Sequence, residues 1–334
     1  MSLAKDEKGR FAVVGAGAWG TALAALYASA GHEVSLLVRD EARAATIAAT
    51  RRNEAYLPGI DLPSTLHPTA NPSAALTSAD IVLLVVPAQV LGSVAKELVH
   101  AIPSKALVVL CSKGIDRTTG RFASENVREI IGARRLAVLS GPSFAADVAR
   151  GLPTAVTVAA EEASAADAAA ARLSTETFRC YASDDVAGVE AGGALKNVLA
   201  LAAGAAIGRG LGESAKAAIV TRGFVELRRL SAALGGRAET TMGLSGLGDL
   251  LLTCSTAQSR NFAYGLAMGR GEPLSGLKLA EGVFSAEIAS RLARERGVEV
   301  PIIDAVADIL KGELSLDEAM RRLLTRPLKR ESAD

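Results

Sequence analysis

Cysteine is scarce in this chain. Cys111, Cys180 and Cys254 are the three among 334 residues. Their number is odd, their spacing wide, and no CxxC pair exists, so the pattern excludes a disulfide framework and favours free thiols in a reducing compartment, consistent with a cytoplasmic protein. Histidine is equally sparse. His32, His67 and His100 form no HExxH or other ligand spacing, and no metal is expected. Aromatic residues make up 4% of the chain, which leaves Ala, Val, Leu and Ile to build the core. Neither sign of charge is in excess: 37 Lys and Arg against 36 Asp and Glu leave a net +1. That balance gives no reason to expect a nucleic-acid or membrane partner, though a local cationic pocket for a small anion is compatible with it. The opening MSLAKDEKGR lacks the apolar region of a signal peptide and reads as a frayed tail over 1–10. The longest apolar segment, 191–208, contains Lys196 and Asn197, so a buried helix is favoured over a membrane span.

What is present is a two-part pattern. The length exceeds one typical domain. In the first half, short β-rich runs alternate with helical stretches: FAVV (11–14), EVSLLV (33–38), DIVLLVV (80–86), ALVVLC (106–111) and LAVL (136–139), with TAVTVAA (154–160) and FRCYA (178–182) as extensions. Near-continuous apolar strands separated by helices imply an α/β parallel sheet covered on both faces. From about Asp184 the periodicity becomes helical, over 184–208, 213–234, 260–270, 284–296, 301–311 and 315–325. This divides the chain into a dinucleotide-binding domain, 1–184, and a helical substrate-binding and catalytic domain, 185–334.

The dinucleotide assignment rests on GAGAWG, where Gly15, Gly17 and Gly20 stand in GxGxxG spacing. The run follows one strand, opens a helix and precedes a second strand, which is the context the fingerprint requires. Gly15 permits the tight turn, Gly17 lets backbone approach a pyrophosphate, and Gly20 lets helix and strand close up. The helix N-terminus adds free N–H groups and the positive end of its dipole. After the second strand the chain reads Arg39-Asp40. Arg39 suits the 2′-phosphate of NADP, whereas Asp40 suits a free ribose hydroxyl as in NAD; the reading favours NADP with NAD also accepted. The loops after the other strands, holding Gln89, Lys113 and SGPSFA (140–145), share the same sheet edge. There Lys113 either faces the ligand or is a solvated lysine.

In the second half, MGLSGLGDL (242–250) reads as a glycine-rich loop ending at Asp249 and is no P-loop, since it lacks GK[ST]. In QSRN, Ser259 is a candidate N-cap, and Arg260 beside free helix N–H groups suits a phosphate. GGALKNVLAL (192–201) places Lys196 among small apolar residues, where a charge needs an answer. Its helix face carries Gly192, Ala200 and Ala203, leaving room for a substrate or another backbone. A structural ion pair or a side chain reaching the surface would also account for it.

Taken in order, GAGAWGTALA, SKGI, SGPSFA, GLPTAV, GGALKNVLAL, GLGDLLLTC and QSRN resemble the bacterial NAD(P)-dependent glycerol-3-phosphate dehydrogenase family from about residue 10 to 325. The resemblance implies an N-terminal Rossmann domain, an all-helical C-terminal domain and a site between them. It implies interconversion of dihydroxyacetone phosphate and sn-glycerol 3-phosphate, supplying the phospholipid backbone, and a homodimer. Lys196 matches the catalytic lysine, with Asp249 beside it in the catalytic set. Lys113, Gly141, Ser143, Lys196, Asp249, Ser259, Arg260 and Asn261 match substrate contacts. Gly15, Gly17, Ala18, Trp19, Gly20, Arg39, Lys113, Gly141, Ser143, Ala145, Arg260, Leu279 and Glu281 match cofactor contacts. Two positions depart from the family's pattern: Ala18 replaces a common serine, so only backbone can serve there, and LAEG stands for the usual VVEG at Leu279. Two other readings are a β-hydroxyacid dehydrogenase of related architecture, whose substrate carries carboxylate in place of phosphate, and a non-enzymatic dinucleotide sensor, which would need no proton donor like Lys196.

Overall fold

β-branched and leucine-rich runs bounded by turn residues become strands here because both faces of each run can be buried. The computed structural model describes residues 8–278 and 280–327. Its strands are β1 (Arg10–Val14), β2 (Glu33–Leu37), β3 (Leu66–Thr69), β4 (Ile81–Leu84), β5 (Leu107–Leu110), β6 (Arg135–Ser140), β7 (Thr154–Ala159) and β8 (Phe178–Ser183). Between and beside them run α1 (Ala18–Ser29), α2 (Glu41–Thr50), α3 (Pro72–Leu76), α4 (Ala88–Leu98), α5 (Ala123–Ile131), α6 (Ala145–Ala149) and α7 (Ala163–Leu173). The second half is α8 (Val186–Gly208), α9 (Gly212–Ala233), α10 (Ala238–Thr241), α11 (Asp249–Ser255), α12 (Arg260–Arg270), α13 (Glu281–Glu295), α14 (Pro301–Lys311) and α15 (Leu316–Leu324).

The strands form one sheet in the order β3-β2-β1-β4-β5-β6-β7-β8. Alternation splits β1 between two cores. Phe11 and Val13 pack with Leu23, Leu26 and Tyr27 on one face, and Ala12 and Val14 with Leu76, Leu91 and Leu98 on the other. The order reverses between β1 and β4, where open α/β sheets bind ligands.

Three details depart from the sequence reading. β6 and β7 pair antiparallel, although every other neighbouring pair is parallel. The chain between them contains only the short α6 and turns back at the edge where β6 ends, without a full crossover. Strand β3 reads LHPT, with Pro68 tolerated because β3 is at the sheet edge. The tail expected over 1–10 ends earlier: Gly9 N donates to His32 Nδ1 and Arg10 begins β1. Residues 1–7 lie outside the described residues.

The helical half is wrapped around α8, which contacts α9, α11, α12, α13 and α14. By length and composition α8 could cross a membrane, but 83% of its most apolar stretch is buried within the protein. It touches α12 backbone to backbone. A Cβ added at Gly204 would lie 2.1 Å from the Phe262 carbonyl oxygen, and one at Gly265 would lie 2.1 Å from that of Leu201. Only glycine permits this approach at those two positions. At its other end, α8 is tied to the sheet half by Glu190, which accepts from Ser124 N and Oγ at the start of α5. Burial pushes the Glu190 carboxyl up to about 7.

Candidate active site

The turn after β1 has the geometry its spacing foretold. Gly15 adopts φ +108°, and a Cβ there would sit 2.7 Å from the Val85 carbonyl oxygen. A Cβ at Gly20 would be 1.9 Å from the Gly15 carbonyl oxygen, which accounts for the close packing of α1 on the turn. At Gly17 an added Cβ meets nothing within 4 Å, so this side of the turn is an open cradle. Gly17 is the N-cap of α1 and Ala18 its first residue; no side chain caps the helix, so its first N–H groups are available to an anion. Trp19 is half-buried against the core. These features fit a dinucleotide pyrophosphate.

Beyond β2, Arg39 is exposed. Asp40 caps α2, its Oδ1 accepting from Arg43 N at 2.7 Å. The competing role for Asp40, reading the ribose, must therefore share a carboxylate already engaged in capping.

The loops after β5 and β6 meet the helical half. Lys113 Nζ donates to the Gly141 carbonyl oxygen at 2.9 Å and to Asp249 Oδ2 at 2.6 Å. Ser143 Oγ donates to the same Gly141 carbonyl at 3.1 Å. Ala145 opens α6 and is half-buried against the core. Gln89 bridges into the loop after β5, where its amide nitrogen donates to the Ile115 carbonyl.

Lys196 answers its burial with an ion pair. Its side chain is 8% exposed, which rules out a reach to the surface; Nζ donates to Asp249 Oδ1 at 2.8 Å and to Thr253 Oγ1 at 2.6 Å. Asp249 is thus gripped by a lysine on each oxygen. Burial alone would raise its carboxyl, but the charges of Lys113 and Lys196 override burial and hold it below the usual range. Burial lowers Lys196 to about 8; Asp249 opposes that shift, while the like charge of Lys113 reinforces it. A Cβ at Gly192, one turn before Lys196, would lie 2.8 Å from the Ser245 carbonyl oxygen, so the room on this face is taken by another backbone.

The stretch that supplies Asp249 is helical rather than the loop expected from its glycines. Leu244–Gly248 form a π-helical turn and Asp249 is the first residue of α11. Gly246 makes this possible, since a Cβ there would be 2.0 Å from the Thr241 carbonyl oxygen. Wide turns of this kind concentrate at functional sites.

One residue along α8, Asn197 Oδ1 accepts from Asn261 Nδ2 at 2.9 Å, and Asn261 Oδ1 accepts from Gly282 N at 2.8 Å. Ser259 is buried and caps α12, accepting from Phe262 N. Arg260, the first residue of that helix, is exposed. Glu281 Oε2 is buried with no hydrogen-bond partner. Burial raises its carboxyl, and Arg260 opposes the shift. Leu279 lies outside the described residues. Thr253 and Asn197 are not among the site residues expected from the sequence. The signal was there for both: Thr253 stands four residues after Asp249 on one helix face, and Asn197 adjoins Lys196.

Models of the NAD-dependent glycerol-3-phosphate dehydrogenase N-terminus and C-terminus match residues 10–166 and 185–321. A glycerol-3-phosphate dehydrogenase (NAD(P)+) of Brucella ovis is 57% identical over 322 residues, spanning 96% of this chain and 99% of its own. A protein of the same name from a Chelativorans species is 58% identical over 320 residues, spanning 96% and 98%. The crystal structure of glycerol-3-phosphate dehydrogenase from Coxiella burnetii superposes with a TM-score of 0.90 at 37% identity, covering 96% of this chain and 99% of that one.

Proposed function

The chain belongs to the NAD-dependent glycerol-3-phosphate dehydrogenase family, and we propose that it interconverts dihydroxyacetone phosphate and sn-glycerol 3-phosphate at the Lys113–Asp249–Lys196 cluster. Residues up to 184 hold the dinucleotide, and residues from 185 supply the acid and the phosphate site. The product is the backbone unit of glycerophospholipids.

The observation that carries this reading is the buried Lys196, held to Asp249 and shifted to about 8. Reduction of a ketone builds negative charge on its oxygen, and an ammonium group both stabilises that charge and donates a proton. Lys196 gives up its proton as the alkoxide becomes a hydroxyl; in the oxidation direction the neutral amine takes the proton back. Asp249 fixes the Nζ position and keeps a counter-charge beside it. Lys113, anchored on Asp249 and the Gly141 carbonyl, adds a second cation at the same place. Arg260 and the free N–H groups of α12 receive the substrate phosphate, while Asn261, locked by Asn197 and Gly282 N, sets the position of that helix start.

The reduced nicotinamide, when bound, supplies the hydride. The open cradle at Gly17 and the unpartnered Glu281 Oε2 fit such a cofactor. Arg39 makes NADP the preferred form, with NAD also used. The scarce, free cysteines suit the cytoplasm, and the near-zero net charge gives no reason for a nucleic-acid or membrane partner; light scattering tests the homodimer.

The decisive assay mixes purified protein, NADPH and dihydroxyacetone phosphate and follows the reduced-nicotinamide absorbance. A decay that requires the phosphorylated ketone supports the reading. Turnover of a β-keto acid in its place would assign the related hydroxyacid chemistry, and dinucleotide binding with no turnover would leave only a sensor.

A further inference from the structure

The carbonyl oxygen of Ala16, inside the glycine-rich turn, accepts two hydrogen bonds from outside the fingerprint. Arg43 Nη2, on α2, reaches it at 2.9 Å, and Asn53 Nδ2, in the loop after α2, reaches it at 3.1 Å. Asn53 is 2% exposed and almost wholly committed to this place. Its amide also donates to Thr21 Oγ1 at 2.7 Å, on α1, and its Oδ1 accepts from Arg43 Nη2 at 3.3 Å. The Arg43 guanidinium is steadied from a third side by the Tyr56 ring, 4.1 Å from its centroid.

The Ala16–Gly17 peptide is trans and planar, so its C=O and N–H point in opposite directions. Two donors fastened to the carbonyl therefore aim the Gly17 N–H to the other side of the turn. The space beside Gly17 is open, since an added Cβ there meets nothing within 4 Å, so a pyrophosphate can come close to this peptide. Donors on a carbonyl also polarise the peptide and strengthen its N–H as a donor. The fixed cation of Arg43 behind the turn adds favourable potential for an anion in front of it.

We propose that Arg43 and Asn53 are positioning residues for the cofactor, acting through the Ala16 carbonyl to orient the Gly17 N–H toward the dinucleotide pyrophosphate. The proposal rests on the dinucleotide reading of the site. It separates two jobs: Arg39, in the turn before α2, reads the 2′-phosphate, while Arg43, on α2, tunes the turn after β1 for any dinucleotide. Losing Arg43 therefore weakens NADH and NADPH alike.

The test uses the whole protein and the fluorescence of its single tryptophan, Trp19, which adjoins the turn. Kd is measured for NADH, NADPH, ADP and adenosine with Arg43→Met, Arg43→Lys and Asn53→Ala. Losing one or two such bonds should weaken NADH, NADPH and ADP together, by about tenfold for each variant. Adenosine, which has no pyrophosphate, should be unaffected. Arg43→Lys, which keeps the charge and one donor, should recover part of the loss. In turnover, the effect should fall on the KM for both dinucleotides more than on kcat. A lowered melting temperature with unchanged dinucleotide Kd would reduce both residues to a structural role and overturn the proposal. Loss confined to NADPH would also overturn it, by making Arg43 a direct 2′-phosphate ligand. If Asn53→Ala does not fold, the two Arg43 variants decide alone. A wild-type protein that binds neither dinucleotide would sink the functional reading itself, whereas normal wild-type binding with indifferent variants would sink only this inference.

Discussion

Lys196 and Asp249, 53 positions apart in the chain, meet with Nζ 2.8 Å from Oδ1 in a buried ion pair. The pair is asymmetric in its consequences, because Asp249 also holds Lys113 through its other oxygen. Two cations share one carboxylate, so the cluster carries a net positive charge, which suits the proposed site, where a ketone oxygen becomes negative.

This arrangement sets a pH dependence. Lys196, lowered to about 8 mainly by burial, must be protonated to act as the acid in reduction. Reductive kcat/KM should be level below that pH and fall as pH rises through it. Oxidation of sn-glycerol 3-phosphate should rise over the same window, since it needs the neutral amine. Asp249→Asn removes the opposing counter-charge and should move both breaks to lower pH. Breaks that stay in place would assign them to some other group.

The role of Lys196 itself is tested by Lys196→Met, which keeps the apolar stem and removes the ammonium. Reduction should slow by roughly 10²–10⁴-fold, the usual contribution of a positioned acid. NADPH affinity should survive, measured by fluorescence titration. A folded variant turning over within about threefold of wild type, far inside the loss of a true acid, would falsify catalysis by this residue.

Arg260, exposed at the first position of α12, should govern phosphate recognition. Arg260→Ala should raise the KM for dihydroxyacetone phosphate, and Arg260→Lys should restore only part of it, because lysine lacks the planar fork. Unphosphorylated dihydroxyacetone should be a very poor substrate. Similar kcat/KM values for the two ketones would remove phosphate from the argument.

Arg39→Asp should weaken NADPH selectively, by roughly 1.5–3 kcal/mol for a lost charged contact, and leave NADH use intact or improved. An unaltered NADPH/NADH ratio would make Arg39 a surface charge.

The backbone contact between α8 and α12 gives a stability prediction. Gly265→Val places a branched side chain where even a Cβ would be 2.1 Å from the Leu201 carbonyl oxygen. The helices must separate, with a loss of about 1–3 kcal/mol or more, as for other overpacked cores. Urea unfolding measures it, and KM for the phosphorylated ketone should rise as Arg260 and Asn261 shift from α8. An unchanged midpoint would show that the contact yields freely.

Much of the sheet half is legible because its signals are local. The spacing of Gly15, Gly17 and Gly20 dictates backbone shape over six residues, and apolar runs of four to seven residues dictate buried strands. Where a signal was weak in itself, the reading missed. Strand β3 is LHPT, which has no apolar run, and it forms because the sheet offers β2 an edge partner. The glycines of 242–250 suggested a loop, whereas Gly246 serves close packing within a helical turn.

The chain's composition and motifs by themselves determined the family, the two-part organisation and the identity of the residues that carry charge. Each of those is written in short-range spacing or residue type. Tertiary structure decided which charges answer one another. Lys113 and Asp249, 136 positions apart, touch only because the loop after β5 and α11 both pack against α8. Arg43 and Asn53 reach the Ala16 carbonyl only because α2 and its following loop fold back on the first turn. Side-chain hydrogen bonds act over about 3 Å, so partners far apart in the chain are chosen by packing, and no spacing in the sequence records them.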